Sequence, residues 1–174
     1  WIIVDDNSTD SSAEIIQEAM KKYDWIEYIR IDNDSKRRRG SHIANLVNRG
    51  ISQSNIDWDF FSKIDADMIL PSDYFEKIFL QFSENPLLGI ASGSCHIIKQ
   101  GKKYSEHVTT DHTRGGLKTY KRSCFNEIEG VKEVDGWDGI DNIMAQMNGW
   151  ETRNFPSISV EHRRITGSYF GIVR

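Results

Sequence analysis

Apolar positions along the chain alternate between runs with a period near two and runs with a period near 3.6, and each switch marks the edge of a short element. Trp1-Ile2-Ile3-Val4 is a continuous, β-branched run of the kind found in strands covered on both faces. The turn and cap formers Asp5-Asp6-Asn7-Ser8-Thr9-Asp10 follow it. Ile15, Ile16, Ala19 and Met20 then make the apolar stripe of a helix from about Ser11 to Tyr23. Ile26 to Ile31 alternates and reads as a second strand, nearer an edge. Past the basic run Lys36-Arg37-Arg38-Arg39 and Gly40, a helix carries Ile43, Ala44, Leu46 and Val47 on its inner side. A buried central strand is expected from Asp59 to Ile64. The helix after it, about Asp73 to Ser83, offers Tyr74, Phe75, Ile78, Phe79 and Phe82 as a broad buried face.

The second half reads as a strand from Leu87 to Ile98, a hairpin turn at Gln100-Gly101-Lys102-Lys103 and a polar loop from His107 to Gly116. A short strand from Leu117 to Lys121 and a short helix from Ser123 to Glu129 come next. After a loop from Gly130 to Gly136, Asp138 to Asn148 is helical with Ile140, Ile143, Met144 and Met147 on one face and Gly149 as its cap. A strand pair, Glu151 to Phe155 and Ile158 to His162, closes the pattern. Strands alternating with helices in the first half predict an α/β fold built on a doubly wound parallel sheet.

Composition narrows the class. The chain has 174 residues, 38% hydrophobic and 28% charged, which fits a single domain with a proper core. No apolar run approaches the roughly 20 residues of a membrane span. The net charge of −4 argues against bulk attraction to nucleic acid, so no nucleic-acid partner is expected. Cys95 and Cys124 form no C-x-x-C pair and read as two buried thiols in a reducing compartment, with one disulfide as the alternative. The chain opens inside a strand and without an initiator Met, so it reads as a fragment of something longer.

Phe60-Phe61-Ser62-Lys63-Ile64 runs into Asp65-Ala66-Asp67, two carboxylates one residue apart. Such residues on an extended segment point the same way and can face one ion or ligand together. Two like charges that close resist joint ionisation unless a cation lies between them. Oxygen-rich sites of this sort suit Mg²⁺ or Mn²⁺, above all when a diphosphate supplies further ligands. With fifteen aspartates in the chain, spacing alone carries little, and Asp32/Asp34 and Asp57/Asp59 share it. Only Asp65/Asp67 lies at the carboxyl end of an apolar strand, where open α/β sheets bind ligands. The alternative is a strand end capped by solvated aspartates. No G-x-G-x-x-G and no G-x-x-x-x-G-K-[ST] is present, so neither phosphate loop explains a nucleotide site. An EF-hand fails at Leu70, where a calcium loop needs oxygen ligands and a Gly.

Four stretches in order resemble the family-2 glycosyltransferases, enzymes of the GT-A nucleotide-sugar fold. They are Ile2-Ile3-Val4-Asp5-Asp6-Asn7-Ser8-Thr9-Asp10, then Arg39-Gly40 with Ala44 and Asn45, then Asp65-Ala66-Asp67, then Gly136-Trp137-Asp138-Gly139-Ile140-Asp141. The resemblance implies a single catalytic domain over residues 1–174, with a Rossmann-like, mostly parallel sheet flanked by helices and a small antiparallel portion. The family's first strand has no counterpart, since the chain starts at what matches the second. The family's Glu-Asp pair stands here as Ile140-Asp141.

The same resemblance implies roles. Asp6, with Asp5 beside it, corresponds to the carboxylate that binds the nucleobase, and Arg39 reaches the base or diphosphate. Asp67 is the direct metal ligand, with Asp65 on the ribose or on water at the metal and His162 as a third ligand. Asp141 is the general base, with Asp138 as its neighbouring rival. The implied activity is metal-assisted, inverting sugar transfer from a nucleotide-diphosphate sugar, with Mn²⁺ or Mg²⁺, to a carbohydrate or lipid-linked acceptor. The implied setting is bacterial polysaccharide or glycoconjugate synthesis in the cytoplasm, with peripheral contact at the inner membrane face. The rivals are a sugar-nucleotide nucleotidyltransferase and a non-catalytic nucleotide-sugar-binding domain.

Overall fold

A computed structural model describes residues 1–32, 40–54 and 56–164. They form two compact units, one of Trp1–Asp57 with Val131–Trp137, the other of Trp58–Gly130 with the chain from Asp138 onward.

The first unit contains β1 (Ile2–Asp5), α1 (Ser12–Met20), β2 (Glu27–Arg30) and α2 (Ser41–Gln53). β1 and β2 pair in parallel, from Ile2 opposite Glu27 to Asp5 opposite Arg30. A parallel pair needs a crossover, and α1 supplies it. The amphipathic stripe expected of α1 is shallow: no α1 residue is buried, and Ile15 is 65% exposed. α2 packs close to β1 where Gly50 faces Val4, since a Cβ on Gly50 would lie 3.0 Å from a Val4 methyl. The segment 131–137 joins this unit through polar contacts. Asp135 Oδ1 accepts the Ser41 amide at 3.1 Å, which satisfies a donor of the first turn of α2 from 94 residues away. Glu133 accepts from the side-chain amides of Asn45 and Asn48.

The second unit holds β3 (Phe60–Ile64), β4 (Met68–Ile69), α3 (Tyr74–Glu84), β5 (Leu88–Lys99), β6 (Lys102–Ser105), β7 (Leu117–Lys121), α4 (Arg122–Glu127), α5 (Trp137–Met147) and β8 (Glu151–His162). Its sheet runs β3-β7-β5-β8-β4, with β6 also on β5. β5 and β8 are parallel, and the other pairings are antiparallel. The class is α/β as expected, with a more extensive antiparallel part. β3 is an edge strand of this sheet among the described residues and is half-buried throughout, where a buried central strand was expected. The anticipated C-terminal strand pair is one strand, β8, with a bulge. Gly93 faces Phe155 and Ser94 faces Ser159, so residues 156–158 stay unpaired there and absorb Pro156, which cannot donate to a ladder.

The core lies between α3 and the sheet, with Tyr74, Ile78 and Phe82 packed on Leu88, Ala91, Cys95, Leu117, Ile158 and Val160. The buried stripe of α3 is therefore a narrow i, i+4, i+8 row. Phe75 and Phe79 are 38% and 39% exposed and stack on each other instead. On α5 the apolar face read from the sequence is also displaced: Ile143 and Met147 are exposed, and Asp141, Asn142 and Ala145 are buried. Both cysteines are free thiols inside the fold, and burial pushes Cys95 up to about 11 and Cys124 up to about 12.

The bulge depends on Gly93. A Cβ there would sit 2.5 Å from the Ile158 carbonyl oxygen and 3.1 Å from the Tyr74 ring. Gly93→Ala is expected to lower stability by about 1–3 kcal/mol through this overpacking. Gly139→Ala, in open space on α5, is expected to be neutral or stabilising by up to about 1 kcal/mol. Urea unfolding midpoints of the two variants check the contrast, and equal midpoints would sink this account of the bulge.

Candidate active site

Two of the candidate residues of the second unit, Asp65 and Asp138, meet at one glycine pair. β3 ends at Ile64, and Asp65-Ala66-Asp67 forms a turn into β4, with the Met68 amide bonded to the Asp65 carbonyl at 3.2 Å. The two aspartates thus do not sit on an extended segment, which corrects the reading that alternation would point them the same way. Asp65 is fastened by its backbone to the glycine pair, its amide donating to the Gly116 carbonyl at 2.9 Å. Its carboxylate forms an ion pair with Lys63 and lies over Gly116, where a Cβ would come within 2.6 Å of Oδ2. The Asp138 carboxylate lies in the same way over Gly115, with Oδ2 2.6 Å from where a Cβ would be. Two adjacent residues without side chains therefore leave room for two carboxylates, one from the β3 turn and one from the start of α5.

Asp67 is held where β4 meets β8. The Arg163 amide donates to its carbonyl at 2.9 Å. His162 Nε2 is 3.6 Å from Asp67 Oδ2, and Arg164 Nε donates to the same oxygen at 2.7 Å. His162 Nδ1 faces Glu106 Oε2 at 3.1 Å, and Arg114 Nη1 lies 3.1 Å from that same Glu106 oxygen. Asp67, His162, Glu106 and Arg114 side chains are all less than one-fifth exposed. Charges so sheltered from water interact more strongly than surface pairs do.

Asp141 is elsewhere. It is 2% exposed, with Lys118 Nζ at 2.5 Å from Oδ1 and the Tyr120 hydroxyl donating to Oδ2. The Asn142 amide also donates to Oδ1, at 2.7 Å. Lys118 is wholly buried and spends a second donor on the Asp138 carbonyl, at 2.5 Å. Burial pushes the Lys118 ammonium down from its usual value, opposed by the Asp141 charge, and pushes the Tyr120 hydroxyl well up. A carboxylate occupied in this way anchors α5 to β7. Asp138, three residues earlier, is half-buried and lies at the glycine pair.

In the first unit, Asp5 is an internal anchor: it accepts from the Ser8 amide at 2.8 Å, the Tyr28 hydroxyl at 2.6 Å and Arg30 Nη1 at 3.1 Å. Burial raises its carboxyl pKa, but the bonds from Ser8 and Tyr28 and the Arg30 charge outweigh that and leave it lowered. Asp6 is more open, with His42 Nε2 at 2.7 Å from Oδ2. Arg39 lies outside the described residues.

The donors at Asp67 and His162 fit a divalent ion that borrows its remaining ligands. Carboxylate and imidazole both suit Mn²⁺, and ligand distances of about 2.0–2.2 Å allow two donors 3.6 Å apart to share one ion. Among the described residues no group of three or more His, Cys, Asp or Glu side chains is placed so that it could hold a metal ion. Lys118, Tyr120 and Glu106 were not singled out from the sequence. A lysine inside Leu117-Lys118-Thr119-Tyr120, a strand buried on both faces, was the available signal.

Comparison with known proteins is consistent with this geometry. Residues 1–132 match the profile of glycosyl transferase family 2. A poly-beta-1,6-N-acetyl-D-glucosamine synthase of Staphylococcus epidermidis is 29% identical over 151 residues, 79% of this chain and 34% of the relative. The synthase of the same description from Staphylococcus aureus is 32% identical over 96 residues, 55% of this chain and 21% of the relative. The chain thus spans about a third of the length of the first of these relatives. Among solved structures, a mannosyltransferase from Pyrobaculum calidifontis in complex with GDP-Man and Mn²⁺ superposes with a TM-score of 0.67 at 15% identity, covering 97% of this chain and 48% of that one. GalNAc-T7 with UDP, GalNAc and Mn²⁺ gives 0.70 at 14% identity, covering 94% and 37%. At these identities the likeness is one of fold, the GT-A fold.

The buried ion pair has a measurable signature. Lys118→Met leaves the Asp141 carboxylate buried without its cation, and a loss of about 3–5 kcal/mol is expected. Lys118→Met combined with Asp141→Leu is expected to recover most of it, because an apolar pair of similar volume needs no partner. Urea denaturation of the single and double variants measures both. A single variant as stable as the parent chain would remove the pair as anchor.

Proposed function

The chain belongs to glycosyl transferase family 2, and on that premise we propose that it transfers a sugar from a nucleotide-diphosphate sugar to an acceptor hydroxyl. The reading treats residues 1–174 as one catalytic domain. The observation that carries it is the convergence of Asp65 and Asp138 over Gly115-Gly116, with Asp67 and His162 on the same β3–β4 turn and β8 end. The relatives' description as synthases of a poly-N-acetylglucosamine supports a polysaccharide product, and a carbohydrate or lipid-linked acceptor. No helix among the described residues is long and apolar enough to cross a membrane; the proposal keeps peripheral contact with the inner membrane face.

Each residue has a distinct task in this scheme. Asp67 and His162 would hold Mn²⁺ or Mg²⁺, which when bound offsets the charge gathering on the diphosphate leaving group. Arg164 Nε donates to the same Asp67 Oδ2 and would hold that carboxylate in place for the ion. Asp65, over Gly116, takes the donor ribose. Asp6, the more open of the first aspartate pair, takes the nucleobase, and Asp5 fixes the turn behind it. Asp138 is the general base: its carboxylate accepts the proton of the acceptor hydroxyl while that oxygen attacks the anomeric carbon, and attack opposite the leaving group inverts the configuration. Asp141 keeps Lys118 ionised and α5 in place, so that Asp138 stands at the glycine pair. Bare glycines at 115 and 116 let the Asp138 and Asp65 carboxylates lie directly against the backbone there.

Calorimetric titration with UDP and GDP, with and without Mn²⁺, tests the donor site on the parent chain and on Asp67→Ala. Metal-dependent binding that Asp67→Ala abolishes is expected, and the tighter nucleotide names the donor class. Metal-independent binding, equal in both proteins, would defeat the reading. Turnover tests the base: Asp138→Asn is expected to lower kcat about 10²–10⁴-fold with donor binding intact. Asp141→Asn is expected to appear first as lost stability. The opposite pattern would return the base to Asp141.

A further inference from the structure

Asp67, His162, Glu106 and Arg114 form one row of side-chain contacts: carboxylate, imidazole, carboxylate, guanidinium. Their order fixes which nitrogen of His162 does what. Nδ1 faces Glu106 Oε2 at 3.1 Å, and Nε2 faces Asp67 Oδ2 at 3.6 Å. A carboxylate next to a neutral imidazole accepts a hydrogen bond from its N–H, so Glu106 keeps the ring hydrogen on Nδ1 and leaves the Nε2 lone pair directed at Asp67. A histidine that ligates a metal commonly has its second nitrogen fixed in this way by a carboxylate, and loss of that partner weakens metal binding.

Glu106 is itself braced. Arg114 Nη1 is 3.1 Å from its Oε2, Arg114 Nη2 donates to its carbonyl at 2.9 Å, and its amide donates to the Cys95 carbonyl at 2.9 Å. The Glu106 side chain is 12% exposed and that of Arg114 is 11%, so the brace is shielded from water. Arg114 also turns the chain into the glycine pair, its carbonyl accepting the Leu117 amide at 3.0 Å. The same arginine thus ties the orienting carboxylate to the loop beneath Asp65 and Asp138.

We propose that Glu106 is a positioning residue for the divalent ion: it sets His162 as an Nδ1–H tautomer with Nε2 toward Asp67, and Arg114 holds Glu106 in that place. The proposal rests on the reading of Asp67 and His162 as ion ligands given above. It extends the ion's surroundings to two residues from the loop between β6 and β7, which contribute no ligand themselves.

The first test needs no metal. Imidazole nitrogen chemical shifts of His162, in the whole metal-free chain at alkaline pH, are expected to report a protonated Nδ1 and a bare Nε2. A proton on Nε2 in the parent chain overturns the proposal, whether or not any variant folds. The second test is Mn²⁺ titration in the presence of UDP or GDP, read by electron paramagnetic resonance of the free ion. Glu106→Ala is expected to weaken Mn²⁺ binding about 10–100-fold. Glu106→Gln, which keeps a carbonyl acceptor for Nδ1–H, is expected to retain most of the affinity. His162→Ala is expected to weaken binding at least as much, and adding Glu106→Ala to it should change nothing further. Parent-like affinity in Glu106→Ala with weakened His162→Ala overturns the role of Glu106 alone. Parent-like affinity in His162→Ala overturns the ligand reading itself, and the proposal with it.

Discussion

An ammonium group with no exposure to water has to be matched inside the protein, and Lys118 is such a group. Its partners are a carboxylate and a main-chain carbonyl, both from the first two turns of α5. This fixes the rotation of the helix about its own axis. Asp141, Asn142 and Ala145 turn inward, and Ile143 and Met147 turn out, against what hydrophobicity alone would select. Burying a charge without a partner is far more costly than exposing two aliphatic side chains. Once α5 is set this way, Asp138 falls at Gly115, and Asn142 reaches Thr113 on the loop that leads there. The position of the proposed base is thus a consequence of an ion pair it does not belong to.

A second set of charges orders the other side of the glycine pair. Asp67 receives His162 and Arg164, and Glu106 receives His162 and Arg114. Each carboxylate has one guanidinium, Arg164 on Asp67 and Arg114 on Glu106, and the His162 ring lies between the two. Lysine and arginine are used differently in the two sets. The compact ammonium of Lys118 is wholly enclosed, and the planar guanidinium of Arg114 spans a side-chain oxygen and a backbone carbonyl of one residue.

Much of this was legible in the sequence because local chemistry determines it. The β-branched run before Asp5, the hairpin turn at Gln100-Gly101 and the apolar strand ending at Asp65 each stand close to where they were read. The two aspartates after β3 stood out because a strand end in an α/β fold is where ligands bind. What could not be read was decided by distant partners. The face of α5 depends on a lysine 23 residues away in sequence, and the shape of the β3–β4 turn depends on a carbonyl at Gly116. Glu106 has no local mark at all, since its partners come from Arg114 and from the end of β8. β8 read as two strands because Pro156 looks like an interruption, and the sheet accommodates it by leaving residues 156–158 unpaired opposite Gly93, with Ile158 turned back into the core.

The two thiols of the second unit carry a practical consequence. Alkylating reagents attack thiolates, and burial denies Cys95 and Cys124 both ionisation and access. In the folded chain they are chemically silent. Maleimide incorporation therefore counts openings of the sheet at β5 and of α4 one event at a time, with no engineered label and no cysteine in the first unit to confuse the signal.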